Sequence, residues 1–177
     1  MDLSRLSPSP SSGLINLLVE SPAGSRNKYK YSESAGMMLL EQVLHASVRY
    51  PFDYGFVPNT LAPDGAPLEA MVIMAEPTFA GCLVCARPIG LLDLKEDNLD
   101  DAKLLCVPDA DPGQRGINSI RQIAPSQLEE VAEFFRTYRS FEGRRISVTG
   151  WRDASAVPAL LDPVSYTHLT LPTTIEV

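Results

Sequence analysis

At 177 residues, 45% hydrophobic and 21% charged, the chain has the length of one globular domain and lies outside the composition of disordered, fibrous or collagen-like sequences. A formal net charge of -7 and a pI near 4.8 repel a phosphate backbone and argue against general nucleic-acid binding. No apolar run approaches the roughly 18 residues of a membrane helix, and the Ser/Pro-rich start lacks the apolar stretch of a signal peptide, so a cytoplasmic protein with no membrane partner is expected.

Residues 1–13 are expected to be a disordered terminus ahead of one domain spanning 14–162. Short strands are predicted from the apolar runs at 14–19, 37–44, 68–74, 83–92, 104–107 and 146–148. Pro, Gly and Asp punctuate them at 21–24, 62–65 and 111–113, a pattern of closely spaced turns that suggests a small barrel. Cys82 and Cys85 form a C-x-x-C pair, a spacing used by zinc and redox sites. In a strand, however, residues three apart point to opposite faces. The sequence also offers only two histidines, His45 and His168, so all three cysteines are read as buried small hydrophobes.

Ser126 and Glu129 have the spacing of a capping box, which predicts a helix from there to about Glu142. Leu128, Val131, Ala132, Phe135 and Tyr138 share its apolar face, and Gly143 supplies the stop. A second helix is expected to begin near Asp153. Residues 163–177 carry no helical period and resemble the translation of a sequencing adapter, so they are expected to be an artefactual tail with few core contacts.

Three segments carry candidate chemistry. Asp93, Glu96, Asp97, Asp100 and Asp101 form an acidic stretch beside Lys95 and Lys103, which by itself reads as a solvated loop. Asp64-Gly-Ala-Pro-Leu-Glu69 reads as a tight turn opening a strand. Tyr50-Pro-Phe-Asp-Tyr54-Gly-Phe is an aromatic cluster suited to packing.

Taken together, these segments resemble the soluble inorganic pyrophosphatases, whose signature D-G-D-P-x-D follows a Y-P-x-x-Y-G-[FY] stretch. The resemblance runs in unbroken order from Val19 through Lys28, the Tyr50–Phe56 stretch, residues 76–90 and Asp101-Ala-Lys103 to Tyr138-Arg139 and Gly150-Trp151. It implies an α+β fold, a five-stranded OB-like β-barrel flanked by helices. It also implies hydrolysis of pyrophosphate with Mg2+, and a homo-oligomer, often a hexamer.

By the same resemblance, Asp64, Glu69, Asp101 and Glu96 match metal-binding carboxylates, and Glu20 matches an acidic pocket residue. Lys28, Tyr54, Lys103, Tyr138 and Arg139 match phosphate-handling positions, with Asp64, Glu69, Asp101 and Tyr54 counted as catalytic. Ala66, however, stands where the family has the aspartate that deprotonates the attacking water. Lys30 replaces a glutamate and Gln42 an arginine. The resemblance therefore implies a slowed diphosphatase. The alternative is a catalytically inactive paralogue that binds phosphate compounds or assembles with an active partner.

Overall fold

The computed structural model describes residues 2–45 and 47–161; the expected tail at 163–177 lies outside them. Strand β1 (Ile15–Ser21) runs antiparallel to β4 (Asp53–Phe56), and β4 runs antiparallel to β5 (Glu69–Val72). β5 lies parallel to β7 (Leu99–Pro108), which pairs antiparallel with β6 (Leu83–Glu96). The first four residues of β6 then pair back onto β1, from Ile15 opposite Ala86 to Leu18 opposite Leu83. Five strands thus close into the expected barrel, which removes free edges from the ring.

Outside the ring, β8 (Ile146–Asp153) adds to the far half of β6, while β2 (Asn27–Ser32) and β3 (Met37–Val43) form a separate hairpin. Helix α1 (Pro125–Thr137) packs against β8, and α2 (Pro158–Leu161) follows a 3-10 turn capped by the Asp153 side chain. No helix among the described residues is long and apolar enough to cross a membrane.

The apolar runs of β1, β5, β6 and β7 are continuous because these strands are covered on both faces, whereas that of β3 lies largely exposed. Along β7, Leu104 and Cys106 join one core with Ile15, Leu17, Ala70 and Val72, while Leu105 and Val107 join the other with Ile89, Leu92 and the aromatic residues under α1. In that second core Tyr50, Tyr54, Phe134, Phe135 and Tyr138 contact one another ring to ring, with centroid spacings from 4.8 to 6.0 Å. Such aromatic pairs add to simple area burial.

Several local expectations need correction. Helix α1 starts at Pro125, with Ala124 as the N-cap and no side-chain cap hydrogen bond. Ser126 is therefore already inside the first turn, because proline at the first helical position fixes the backbone and removes one orphan donor. The capping box occurs earlier, between Ser119 and Gln122. α1 also ends at Thr137, and Gly143 instead terminates a following 3-10 turn with φ of 72°.

The acidic stretch is not a loop but the paired ends of β6 and β7, joined at Asp97 and Asn98, both with positive φ. Lys95 faces Asp100 across the ladder at 3.0 Å, and opposite charges on facing positions favour the pairing. Cys106 is buried, but Cys82 and Cys85 are only half-buried. Residues 2–13 do not hang free of the fold: Asn59 donates to the Leu3 and Leu6 carbonyls, and Asn16 donates to the Ser7 carbonyl.

Strand β4 passes so close to β1 that a Cβ placed on Gly55 would stand 1.8 Å from the Leu18 carbonyl oxygen. Gly55→Ala must therefore push β1 and β4 apart. We expect it to lower unfolding free energy by about 2 kcal/mol or more, measured by urea denaturation; an unchanged midpoint would show that the ring tolerates the separation.

Candidate functional site

The pairing of β5 with β7 places Ala70 opposite Leu104, so that the neighbouring Glu69 and Lys103 project on the same side of the sheet. Lys103 is buried and its ammonium is ion-paired with Glu69 Oε2 and, at 2.8 Å, with Asp101 Oδ2. Glu69 also accepts a hydrogen bond from the Tyr54 hydroxyl. Burial opposes the Glu69 charge, but the Lys103 ammonium and these hydrogen bonds hold its carboxyl below the ordinary glutamate range. Burial likewise opposes the Lys103 charge, and its two carboxylate partners raise its pKa above the usual lysine value.

Facing Glu69 is a cavity of about 100 Å³, closed on one side by the β2–β3 hairpin and on the other by the end of α1. Glu20, Lys28, Lys30, Glu41, Glu69 and Arg139 line it, together with phenols including Tyr54 and Tyr138. Lys28 pairs with Glu41 at 2.9 Å, and Lys30 lies 4.0 Å from the same carboxylate. Burial pushes both phenols up, Tyr138 to about 12, so they stay protonated and act as donors. Arg139 donates to Glu96 Oε1 at 2.5 Å, and Arg144 donates to that same oxygen at 2.9 Å.

The residues singled out from the sequence do not all meet. Lys28, Tyr54, Glu69, Tyr138 and Arg139 share the cavity. Lys103 and Asp101 reach it only through Glu69. Glu96 is held at its edge by Arg139 and Arg144. Asp64 stays on an exposed turn, where its Oδ1 accepts from the Ala66 amide at 3.0 Å. Among the described residues no group of three His, Cys, Asp or Glu side chains is arranged to hold a metal ion.

Glu41 was not anticipated. The lysine directly opposite in the ladder faces Gln42, but a register shift between Lys28 and Tyr29 brings Glu41 to Lys28 instead. Only an acidic residue inside the predicted strand at 37–44 hinted at it.

Two measurements follow from these electrostatics. Lys103→Met leaves Glu69 and Asp101 without their shared cation, and removal of one partner from a buried ion pair typically costs about 3 kcal/mol. Guanidinium denaturation should show a loss of that order, partly recovered when Glu69→Gln is added. Glu20 is half-buried and pushed up from 4.5 to about 7, mainly by desolvation. Between those pH values the folded protein retains a proton that the unfolded chain has released, so this group makes stability fall as pH rises. Glu20→Gln should flatten that slope in melting temperatures recorded from pH 4.5 to 7.5, whereas an unchanged slope would assign the titration elsewhere.

With this geometry described, similarity to known proteins identifies the family. Residues 17–164 match the family profile described as inorganic pyrophosphatase. Among curated relatives, an inorganic pyrophosphatase of Synechocystis sp. is 49% identical over 162 residues, covering 92% of this chain and 96% of the relative. One from Methanosarcina acetivorans is 44% identical over 146 residues, covering 82% and 87%. The crystal structure of inorganic pyrophosphatase from Thermus thermophilus superposes with a TM-score of 0.88 at 32% identity, covering 95% of this chain and 99% of that one. A profile match across most of the domain, close relatives of full length and a common barrel agree: the chain belongs to the inorganic pyrophosphatase family.

Proposed function

We propose that this protein is an inorganic diphosphatase that hydrolyses pyrophosphate to two phosphates with Mg2+, at a rate reduced by the absence of a positioned general base. The observation that carries this reading is the small cavity in which Lys28, Arg139, Tyr54 and Tyr138 surround the Glu69 carboxylate. Water adds to one phosphorus, the bridging P–O bond breaks, and the leaving phosphate takes up a proton.

Lys28 and Arg139 supply charged donors for the phosphate oxygens, and the protonated phenols add neutral ones. Buried Lys103 and Tyr54 fix Glu69 in place, which keeps the cavity wall from rearranging when an anion enters.

Glu69 and Asp101 offer hard oxygen donors brought onto one ammonium, a donor chemistry that suits a magnesium ion. We assign Mg2+ to these two, with Asp64, which stands apart on its turn here, completing the set only when that turn moves in, and a further ion to Glu96. When bound, magnesium neutralises phosphate oxygens and lowers the pKa of an attacking water.

Ala66 cannot accept a proton, and a missing general base typically costs 100- to 10,000-fold, on the order of what Brønsted behaviour allows. A non-catalytic paralogue is the second reading, favoured by Ala66, Lys30 and Gln42 occurring together. The homo-oligomer implied by the resemblance belongs to the same proposal and is checked by sedimentation.

Phosphate release from pyrophosphate, measured with magnesium and with chelator, tests the function. Ala66→Asp should raise kcat by about 100-fold with little change in KM, because the new carboxylate acts in the transition state. If neither the native protein nor the triple variant Lys30→Glu, Gln42→Arg, Ala66→Asp releases phosphate, the hydrolase reading is wrong and the binding reading replaces it.

A further inference from the structure

The charges lining the cavity are balanced without any bound ion. With Glu20 ionised, Glu20, Glu41 and Glu69 face Lys28, Lys30 and Arg139, three carboxylates against three cations; with its proton held, the cations are in excess. A phosphate-type anion approaching a pocket lined mainly by carboxylates meets repulsion until divalent cations intervene. No such net repulsion exists here. The balance depends on Lys30: without it the lining carries one net negative charge, and an acid in its place would make that charge minus two.

Lys30 is also free to act on a ligand. Its ammonium lies 4.0 Å from Glu41 and its side chain is 67% exposed, so it is not consumed by a close pair. Glu41 is already engaged by Lys28 at 2.9 Å. At the opposite wall, the buried Arg139 Nε has no hydrogen-bond partner among the described residues. Buried guanidinium donors are rarely left unmet, and an anion in the cavity would meet this one.

We propose that this pocket binds pyrophosphate in the absence of divalent cations, with Lys30 acting as a built-in counter-cation. The inference rests on the reading of the cavity as the pyrophosphate site, but concerns binding rather than turnover. It carries a thermodynamic corollary. Lys30 already supplies charge that a metal would bring, so metal adds less to pyrophosphate affinity, and because coupling is reciprocal pyrophosphate adds correspondingly less to metal affinity.

The test is calorimetric titration of pyrophosphate into the full chain, in chelator and again in magnesium. The native protein should bind in chelator. Lys30→Gln should weaken that binding by about tenfold and Lys30→Glu by about 100-fold, the scale of one and two lost charge-assisted contacts. Magnesium should restore affinity in Lys30→Glu by a larger factor than it improves the native protein. Lys95→Glu makes the same charge change at an exposed position that does not line the cavity and should alter the metal-free affinity by no more than about twofold, since solvent and salt screen exposed charges. Melting curves in chelator give a second readout: pyrophosphate should raise Tm for the native chain and not for Lys30→Glu.

Absence of metal-free binding, or equal losses in Lys30→Glu and Lys95→Glu, overturns the proposal. Phosphate release measured on the same preparations separates the two readings. Magnesium-dependent turnover without metal-free binding removes this inference and leaves the hydrolase intact, whereas metal-free binding without turnover does the reverse.

Discussion

Closure of the strand ring is the constraint on which the other features depend. The contact of β1 with the start of β6 joins segments about 70 positions apart and gives each barrel strand two neighbours. It leaves no room at the β1–β4 crossing for any side chain at Gly55. Within the ring β5 and β7 lie side by side and parallel, and this ladder delivers Glu69, Asp101 and Lys103 to one place. The fully buried Asp53 strengthens the crossing, accepting from the Ala23 amide and from the amide and hydroxyl of Thr78. It thereby ties the loops after β1 and β5 to the start of β4.

The polar cluster next to the barrel follows a single electrostatic logic. Buried carboxylates are costly unless met by opposite charge and hydrogen bonds, and all but Glu20 are met here by opposite charge. Glu69 has Lys103 and Tyr54, Asp101 has Lys103, Glu96 has two arginines, and Glu41 has Lys28. Glu20 instead accepts a single amide hydrogen bond from Tyr31 at 2.8 Å and responds by holding its proton more tightly. A pocket organised in this way is pre-formed. Its cations are distributed among carboxylates that can release them to an incoming anion.

The three residues at which the resemblance marks departures, Ala66, Lys30 and Gln42, all bear on this balance. Ala66 removes a potential proton acceptor from the turn that carries Asp64, leaving Asp64 to accept from the turn's own backbone. Lys30 adds positive charge at the mouth of the cavity, while Gln42 withholds it from the adjoining strand. The aromatic wall does not share in these changes. Tyr54 and Tyr138 remain packed against Phe135 and each keeps its phenol toward the polar cavity, so the shape of the pocket is maintained by the core beneath it.

Much of this was legible in the chain. Apolar runs located six of the eight strands; for β1, β5, β6 and β7 this is because strands covered on both faces read as unbroken hydrophobic stretches, while the run of β3 lies largely exposed. The two that were missed, β2 and β4, carry Lys28, Lys30, Asp53 and Tyr54, polar or aromatic residues that interrupt any apolar run. The family and its barrel followed from ordered motifs whose spacing is a property of sequence. The helix start was misjudged because Ser126 and Glu129 match a cap by spacing alone, and Pro125 had already begun the helix. What only the tertiary structure decided was which charges meet. Lys103 joins Glu69 to Asp101, a shifted register gives Glu41 to Lys28, and Glu96 is shared by Arg139 and Arg144, whereas Asp64 stays apart on its turn. Ion pairing depends on distances of a few ångströms between strands remote in sequence, and those distances are fixed by ring closure and ladder register, which spacing along the chain does not encode.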